Sequence, residues 1–214
     1  MKHVHFLRHA QGLHNIAGEA NYLNYMKKEF MDSPLSEGGV KQCQQLCAQC
    51  EKTSQYDSNI DLLVISPLLR TLQTASFTFP FLINKIPWLA LDELREQTGI
   101  HPCDKRIPIS LRSKDFAYVN FQNVLNDVDP LYHKYTLSRE PANHVAKRGG
   151  EFIDWLSSRE EENILVVTHS AFLTHFFDQV VTCDDHDKLK FENCELRSYN
   201  LVLPDNRGST SRSI

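Results

Sequence analysis

The chain has 214 residues, 41% of them hydrophobic and 23% charged, a balance that suits one soluble domain with a well-buried core. The formal charge is −4 with histidines neutral and the isoelectric point is about 6.2, which argues against a nucleic-acid binder with a basic face. Net charge sets no limit on a local basic pocket.

The opening Met1-Lys2-His3-Val4-His5-Phe6-Leu7 lacks the apolar run of a signal peptide, and no stretch reaches the roughly 18 apolar residues of a membrane span. Six cysteines in such a chain read as reduced thiols, so the expected location is cytoplasmic. Cys43, Cys47 and Cys50 are spaced to share a helix face, but no fourth metal ligand accompanies them, and a structural role is expected.

Residues 2–7 alternate polar and apolar side chains and then deliver Arg8-His9, the pattern of a strand feeding a loop. Residues 20–30 mix helix formers with aromatics and predict a helix or an ordered insertion. Ser36 offers an N-cap for a helix running towards Glu51, with Gly38-Gly39 as the weak point of its first turn. Residues 60–65 form a nearly continuous apolar run, as expected of a strand buried on both faces. Ser66-Pro67 ends it. Residues 68–79 carry apolar side chains at helical spacing, and Pro67 suits the first helical turn. Residues 88–91 predict another short strand.

From Asp92 to about Arg139 the chain is polar and proline-punctuated, and residues 97–140 read as a cap or substrate-binding insertion with short helices. Residues 143–159 predict a helix despite Gly149-Gly150. Residues 163–168 are a second buried strand, residues 171–181 a helix, and residues 196–203 a final alternating strand. The tail, residues 206–214, is expected to fray. Strand and helix alternate throughout, which gives one α/β domain over residues 1–205 with a mostly parallel sheet.

Arg8-His9, the stretch from Ser66 to Arg70, Glu96 and His169 all follow the C-terminal ends of predicted strands, where open α/β sheets bind ligands. Arg8 and Arg70 offer forked donors for phosphate oxygens, and Asn15 adds a neutral donor. With the imidazoles of His9 and His169 and the carboxylate of Glu96, the set suits phosphoryl transfer through a covalent phosphohistidine. Neutral His9 would attack phosphorus while Arg8, Asn15, Arg70 and a protonated His169 hold the oxygens. Glu96 would protonate the departing alkoxide and then activate water; Glu93 is the competing acid. Neither a metal nor another cofactor is called for, because the arginines carry the electrostatic load. The cluster His101, Lys105 and Arg106 is either a solvated loop or a pocket for a second anionic group. Trp88 and Trp155 read as core aromatics.

The segments Leu7-Arg8-His9-Ala10-Gln11-Gly12-Leu13-His14-Asn15, Pro34-Leu35-Ser36-Glu37-Gly38-Gly39, Ser66-Pro67-Leu68-Leu69-Arg70-Thr71, Leu94-Arg95-Glu96 and Thr168-His169-Ser170 resemble the histidine phosphatase superfamily. This clan includes the cofactor-dependent phosphoglycerate mutases. The matches come in the family's order from residue 4 to about residue 200. The resemblance implies a three-layer α/β/α sandwich of the phosphoglycerate mutase type. It implies phosphorylation at His9, phosphoryl binding by Arg8, Asn15, Arg70 and His169, and proton donation by Glu96. Gln11 takes a position where the family often has glutamate or glutamine, and joins the phosphate-binding set on the leaving-group side. Ala10 stands where the family usually has glycine.

Residues 94–106 resemble a subgroup of fungal, plant and protist mutase-like proteins, generally phosphatases or of unassigned substrate. The Asn-Glu-Arg-His-Tyr-Gly stretch of true mutases is absent, which favours hydrolysis over intramolecular transfer. The expected substrate is a small phosphorylated metabolite or a phosphoprotein. A mutase-like phosphotransferase is one competing reading; a phosphate-binding regulatory module that has lost turnover is another, resting on Ala10.

Overall fold

Five strands form one sheet in the computed structural model, which describes residues 1–53, 56, 59–181 and 189–203. They are β1 (Lys2–Arg8), β2 (Leu62–Ile65), β3 (Trp88–Ala90), β4 (Asn163–Thr168) and β5 (Leu196–Leu201), in the order β3-β2-β4-β1-β5. The first four run parallel, and β5 closes one edge antiparallel to β1. The C-terminal ends of four strands therefore share one edge of the sheet.

The apolar runs divide by parity, because successive side chains of a strand point to opposite faces. Val4, Phe6, Val64, Ile164 and Val166 pack beneath α6 (Ala142–Ser157) and α7 (Ser170–Gln179), against Phe152, Phe172 and Phe176. Leu7, Leu63, Ile65, Leu165 and Val167 face the other way, towards α2 (Glu37–Thr53) and α3 (Leu69–Thr78). Helices cover both faces, so the sandwich has three layers. Each fully buried phenylalanine or leucine contributes roughly 1.5–3 kcal/mol.

Several boundaries differ from the sequence reading, each for a local reason. β2 begins at Leu62 because Asp61 turns its side chain to the start of β4, accepting from the Glu162 and Asn163 amides. Pro67 lies outside its helix; Leu68 holds an extended conformation and caps α3. Residues 20–30, expected as a helix or an ordered insertion, form tight turns at Tyr22–Met26 and Lys28–Phe30, and an unexpected helix, α1 (Leu13–Ala20), precedes them. Trp88 is buried, whereas Trp155 only borders the core and carries Arg159 over its ring. The tail at residues 206–214 lies outside the described residues. Among those described, no helix is long and apolar enough to cross a membrane.

Residues 92–140 hold only short elements, including α4 (Ile109–Asp115) and α5 (Pro130–Lys134). Buried ion pairs tie this stretch down. Arg95 reaches both oxygens of Asp129 at 2.7 Å, Arg106 contacts Asp92 at 3.1 Å, and Arg148 meets Glu140 at 2.8 Å. Charges withdrawn from water require such partners.

Ser36 caps α2, its hydroxyl accepting from the Gly39 amide at 3.0 Å. Gly39 is required by contact rather than propensity: a β-carbon there would lie 2.1 Å from the Gln11 carbonyl oxygen. Helix propensity alone predicts that Gly39→Ala stabilises the protein by about 1 kcal/mol. The contact predicts the reverse, a lower urea midpoint together with impaired phosphate-analogue binding, because the chain that must yield carries His9.

Candidate active site

A cavity of about 700 Å³ opens at the C-terminal edge of the sheet, and Arg8, His9, Asn15, Arg70 and Glu96 form part of its wall. His169 lies immediately beneath the wall, fully buried, its ring centroid 5.1 Å from that of His9. A more open hollow of about 810 Å³ at the opposite edge is ringed by Asp61, Arg159, Glu161 and Asn163 and contains no histidine. Chemistry and space coincide only at the first.

His9 follows the last residue of β1, and its ring is oriented by two contacts. Nδ1 lies 2.8 Å from the Ala10 carbonyl oxygen, which can only accept, so Nδ1 carries the proton. The lone pair is then on Nε2, where the Arg70 Nε–H points from 3.3 Å. Burial, then the nearby Arg70 and Arg8 guanidinium groups, push the pKa of His9 well below the usual histidine range. His9 is a neutral imidazole with a defined tautomer.

Arg70, on the first turn of α3, is completely buried. Its Nη1 donates to the Cys103 carbonyl at 2.6 Å and its Nη2 to Asp104 at 3.0 Å. The other oxygen of Asp104 accepts from Arg139 at 2.7 Å. Glu96 sits at the start of α7, where its carboxylate accepts from the Ala171 and Phe172 amides as well as from Gln97. Helix N-termini favour negative groups in this position. Asn15 folds back on its own loop, its side-chain oxygen accepting from the Gly12 amide at 2.8 Å.

His169 departs from the expected protonated form. Its ring is fully buried beside Arg70 and His9, and burial first, then those neighbours, hold its pKa well below the usual range. Ser66 bonds its Nε2 at 2.8 Å, while Nδ1 is buried without a partner. Arg8 Nε and His14 Nδ1 are likewise buried and unpartnered beside the same cavity. Unsatisfied buried donors and acceptors typically cost about 1–3 kcal/mol each, and these three atoms flank one cavity.

Gln11 leaves the phosphate-binding set. Its side-chain oxygen accepts from Ser36 at 2.9 Å and it is absent from the cavity wall, because the loop is stitched to the start of α2. Ala10 also points away: it is fully buried in a small apolar cluster with Leu35 and Cys43, and its amide donates to Thr74 at 3.0 Å. Its methyl group therefore intrudes on no phosphate. Of the two candidate acids, Glu96 lines the cavity and Glu93 does not. Of the basic cluster, only His101 reaches the wall; Arg106 is spent on Asp92 and backbone carbonyls, and Lys105 lies over the Tyr132 ring. Cys43 and Cys50 are buried in separate apolar clusters, and the described residues include no group of three metal-ligating side chains.

Sequence reasoning does not single out Asp104, Arg139, Tyr22 or Tyr25, all of which line the cavity. The aromatic content of residues 20–30 is the one local signal for the tyrosines. Nothing local marks the other two.

The sequence model of the histidine phosphatase superfamily, branch 1, matches residues 4–213. The chain belongs to that superfamily. Among its relatives, a phosphoglycerate mutase-like protein of Arabidopsis thaliana is 33% identical, across 98% of this chain and 88% of that protein. A second from the same plant, phosphoglycerate mutase-like protein 1, is 34% identical across 98% and 84%. The fold resembles that of the alpha-ribazole phosphatase from Shigella flexneri, with a TM-score of 0.62 and 20% identity over 94% of this chain and 91% of that one. A mycobacterial glucosyl-3-phosphoglycerate phosphatase gives a TM-score of 0.57 at 16% identity, over 92% and 89%. The histidine phosphatase fold is thus shared at low identity.

Two outcomes follow from this geometry. Ala10→Gly removes a buried methyl and should lower stability by about 1 kcal/mol in urea titrations while leaving the affinity for inorganic phosphate unchanged. His14 and His5 have pKa values pushed down, mainly by burial, to about 3 and about 4. Between those values and roughly 6.5 the unfolded chain binds more protons, so stability is fully present above about pH 6.5 and falls on acidification. Urea midpoints should therefore drop between about pH 7.5 and about pH 5, and His5→Asn should flatten that dependence.

Proposed function

We propose that the protein hydrolyses phosphomonoesters through a phosphohistidine formed on His9 Nε2. The observation that carries this reading is the state of His9: neutral, protonated on Nδ1 by its bond to the Ala10 carbonyl, with the Nε2 lone pair facing Arg70. An imidazole so held is a nucleophile rather than a cation. Arg70 supplies charge for the phosphoryl oxygens, and the unpartnered Arg8 Nε and His169 Nδ1 are donors in waiting. If Ser66 donates to His169 Nε2, the neutral ring carries its proton on Nδ1, which suits an oxygen acceptor.

In the first step the Nε2 lone pair forms a bond to phosphorus as the ester P–O bond breaks. Glu96 passes a proton to the departing alkoxide, which leaves as the alcohol. Glu96 then takes a proton from water, whose oxygen attacks phosphorus while the N–P bond breaks, releasing inorganic phosphate and restoring neutral His9. Electrostatic positioning supplies most of the remaining acceleration.

Hydrolysis is favoured over transfer by the absence of the mutase stretch from residues 94–106, although the plant relatives bear mutase-like names. The regulatory-module reading loses its one support, since the Ala10 methyl packs away from the cavity. His9→Ala should abolish release of phosphate from both aryl and alkyl esters. Glu96→Gln should slow alkyl ester hydrolysis by roughly 10²–10⁴-fold while largely sparing an ester with a good leaving group. Full activity in His9→Ala would sink the mechanism, and phosphate transfer that requires a bisphosphate primer would favour the mutase.

A further inference from the structure

The 700 Å³ cavity is walled by more than the groups that would hold the phosphoryl group. Its outer wall is built from rings that the mechanism above leaves unused. Tyr25 stacks on His101 with centroids 5.3 Å apart and planes 22° apart, and Tyr22 stands edge-on to both at 5.6 Å. The Tyr22 hydroxyl lies 3.3 Å from His101 Nε2. α1 leaves room for this wall: a β-carbon at Gly18 would fall 2.0 Å from the Tyr25 ring. Tyr25 and Asn15 line the same cavity, so the aromatic wall adjoins the phosphate donors. Tyr22, at the mouth, is 59% exposed, an unusual position for a large aromatic already held by two ring partners.

Among the described residues of the wall, the cations Arg8, Arg70, Arg139 and Lys190 outnumber the acids Glu96 and Asp104, which suits an anionic ester. Arg139 is bonded to Asp104 and His101 through Nη1, and Lys190 has Glu192 at 3.9 Å. Tyr22, Tyr25 and His101 add aromatic surface to that wall, which favours flat unsaturated partners over saturated ones of similar bulk.

We infer that the outer cavity, at Tyr22, Tyr25 and His101, is a leaving-group subsite for a planar ring, so that the substrate is a monophosphate ester of an alcohol bearing an aromatic or heteroaromatic group. This rests on the phosphatase reading for the position of the phosphoryl group. The test uses non-hydrolysable phosphonates in which one, two or three methylenes separate phosphorus from a phenyl ring. Each is compared by calorimetry with its cyclohexyl counterpart, which has the same charge and slightly greater bulk.

At the best spacer length the phenyl compound should bind roughly two- to ten-fold more tightly. Tyr22→Leu should bring that ratio close to one, and Tyr22→Phe should keep it; exposure at this position protects the fold in both. Equal binding of phenyl and cyclohexyl compounds at every length overturns the subsite, and so does tighter binding of a phosphonocarboxylate of matching length. Turnover of acetyl phosphate, which has no ring, is measured alongside. An active enzyme with a ratio of one loses the subsite alone, whereas a preserved ratio without turnover removes the phosphatase reading alone. Failure to bind any phosphonate removes both.

Discussion

The buried carboxylate of Asp104 is the interaction on which the site's geometry rests. One of its oxygens accepts from Arg70 and the other from Arg139, so a single anion sets the spacing of two guanidinium groups. Burial alone would raise its pKa, but Arg70 and Arg139 together hold it below the usual carboxylate range. Arg70 is thereby fixed in rotation, with the Cys103 carbonyl as its second anchor, and its Nε is left to face His9. An arginine tied only to His9 would swing with it. Here the orientation comes from a loop far along the chain, and that loop is anchored in turn by Arg95, which donates to the Asp104 carbonyl and to Asp129.

That arrangement explains why residues 92–140 are rich in buried arginine and aspartate rather than in leucine. Buried ion pairs about break even in stability against apolar packing, since desolvation offsets most of their attraction. Their distinctive property is directionality. Arg95, Arg106 and Arg148 each combine a carboxylate with backbone carbonyls, which determines how irregular backbone lies over the sheet edge. A greasy insertion of the same length would cover the edge equally well and position nothing.

The same fact governs what was legible in the sequence. The strands were: residues 163–168 gave β4 to the residue, because burial on both faces leaves a continuous apolar run that hydropathy detects. The placement of His9, Arg70, Glu96 and His169 past strand ends was legible as well, since parallel topology gathers those ends at one edge. Asp104 and Arg139 were not, because a charged residue in a polar segment looks like surface until its partner is known. The fate of Gln11 was decided by Ser36, 25 positions away, and no local pattern carries that information. The neutrality of His169 depends on burial beside Arg70, which is again a tertiary property. α1 went unread because Leu13–Ala20 joins a short apolar face to glycine and asparagine, a composition that reads equally well as loop.

β1 carries His9 out of its end, yet it lies between β4 and β5. Both neighbours are drawn from the last quarter of the chain: His3 pairs with Asn163 and with Asn200. During synthesis β1 emerges well before either of its partner strands, and its ladder of amides and carbonyls stays open in the meantime. Pairings so distant in sequence are slow to form, and waiting strand edges are where misassembly begins. His9 acquires its setting only when β1 is flanked by β4 and β5.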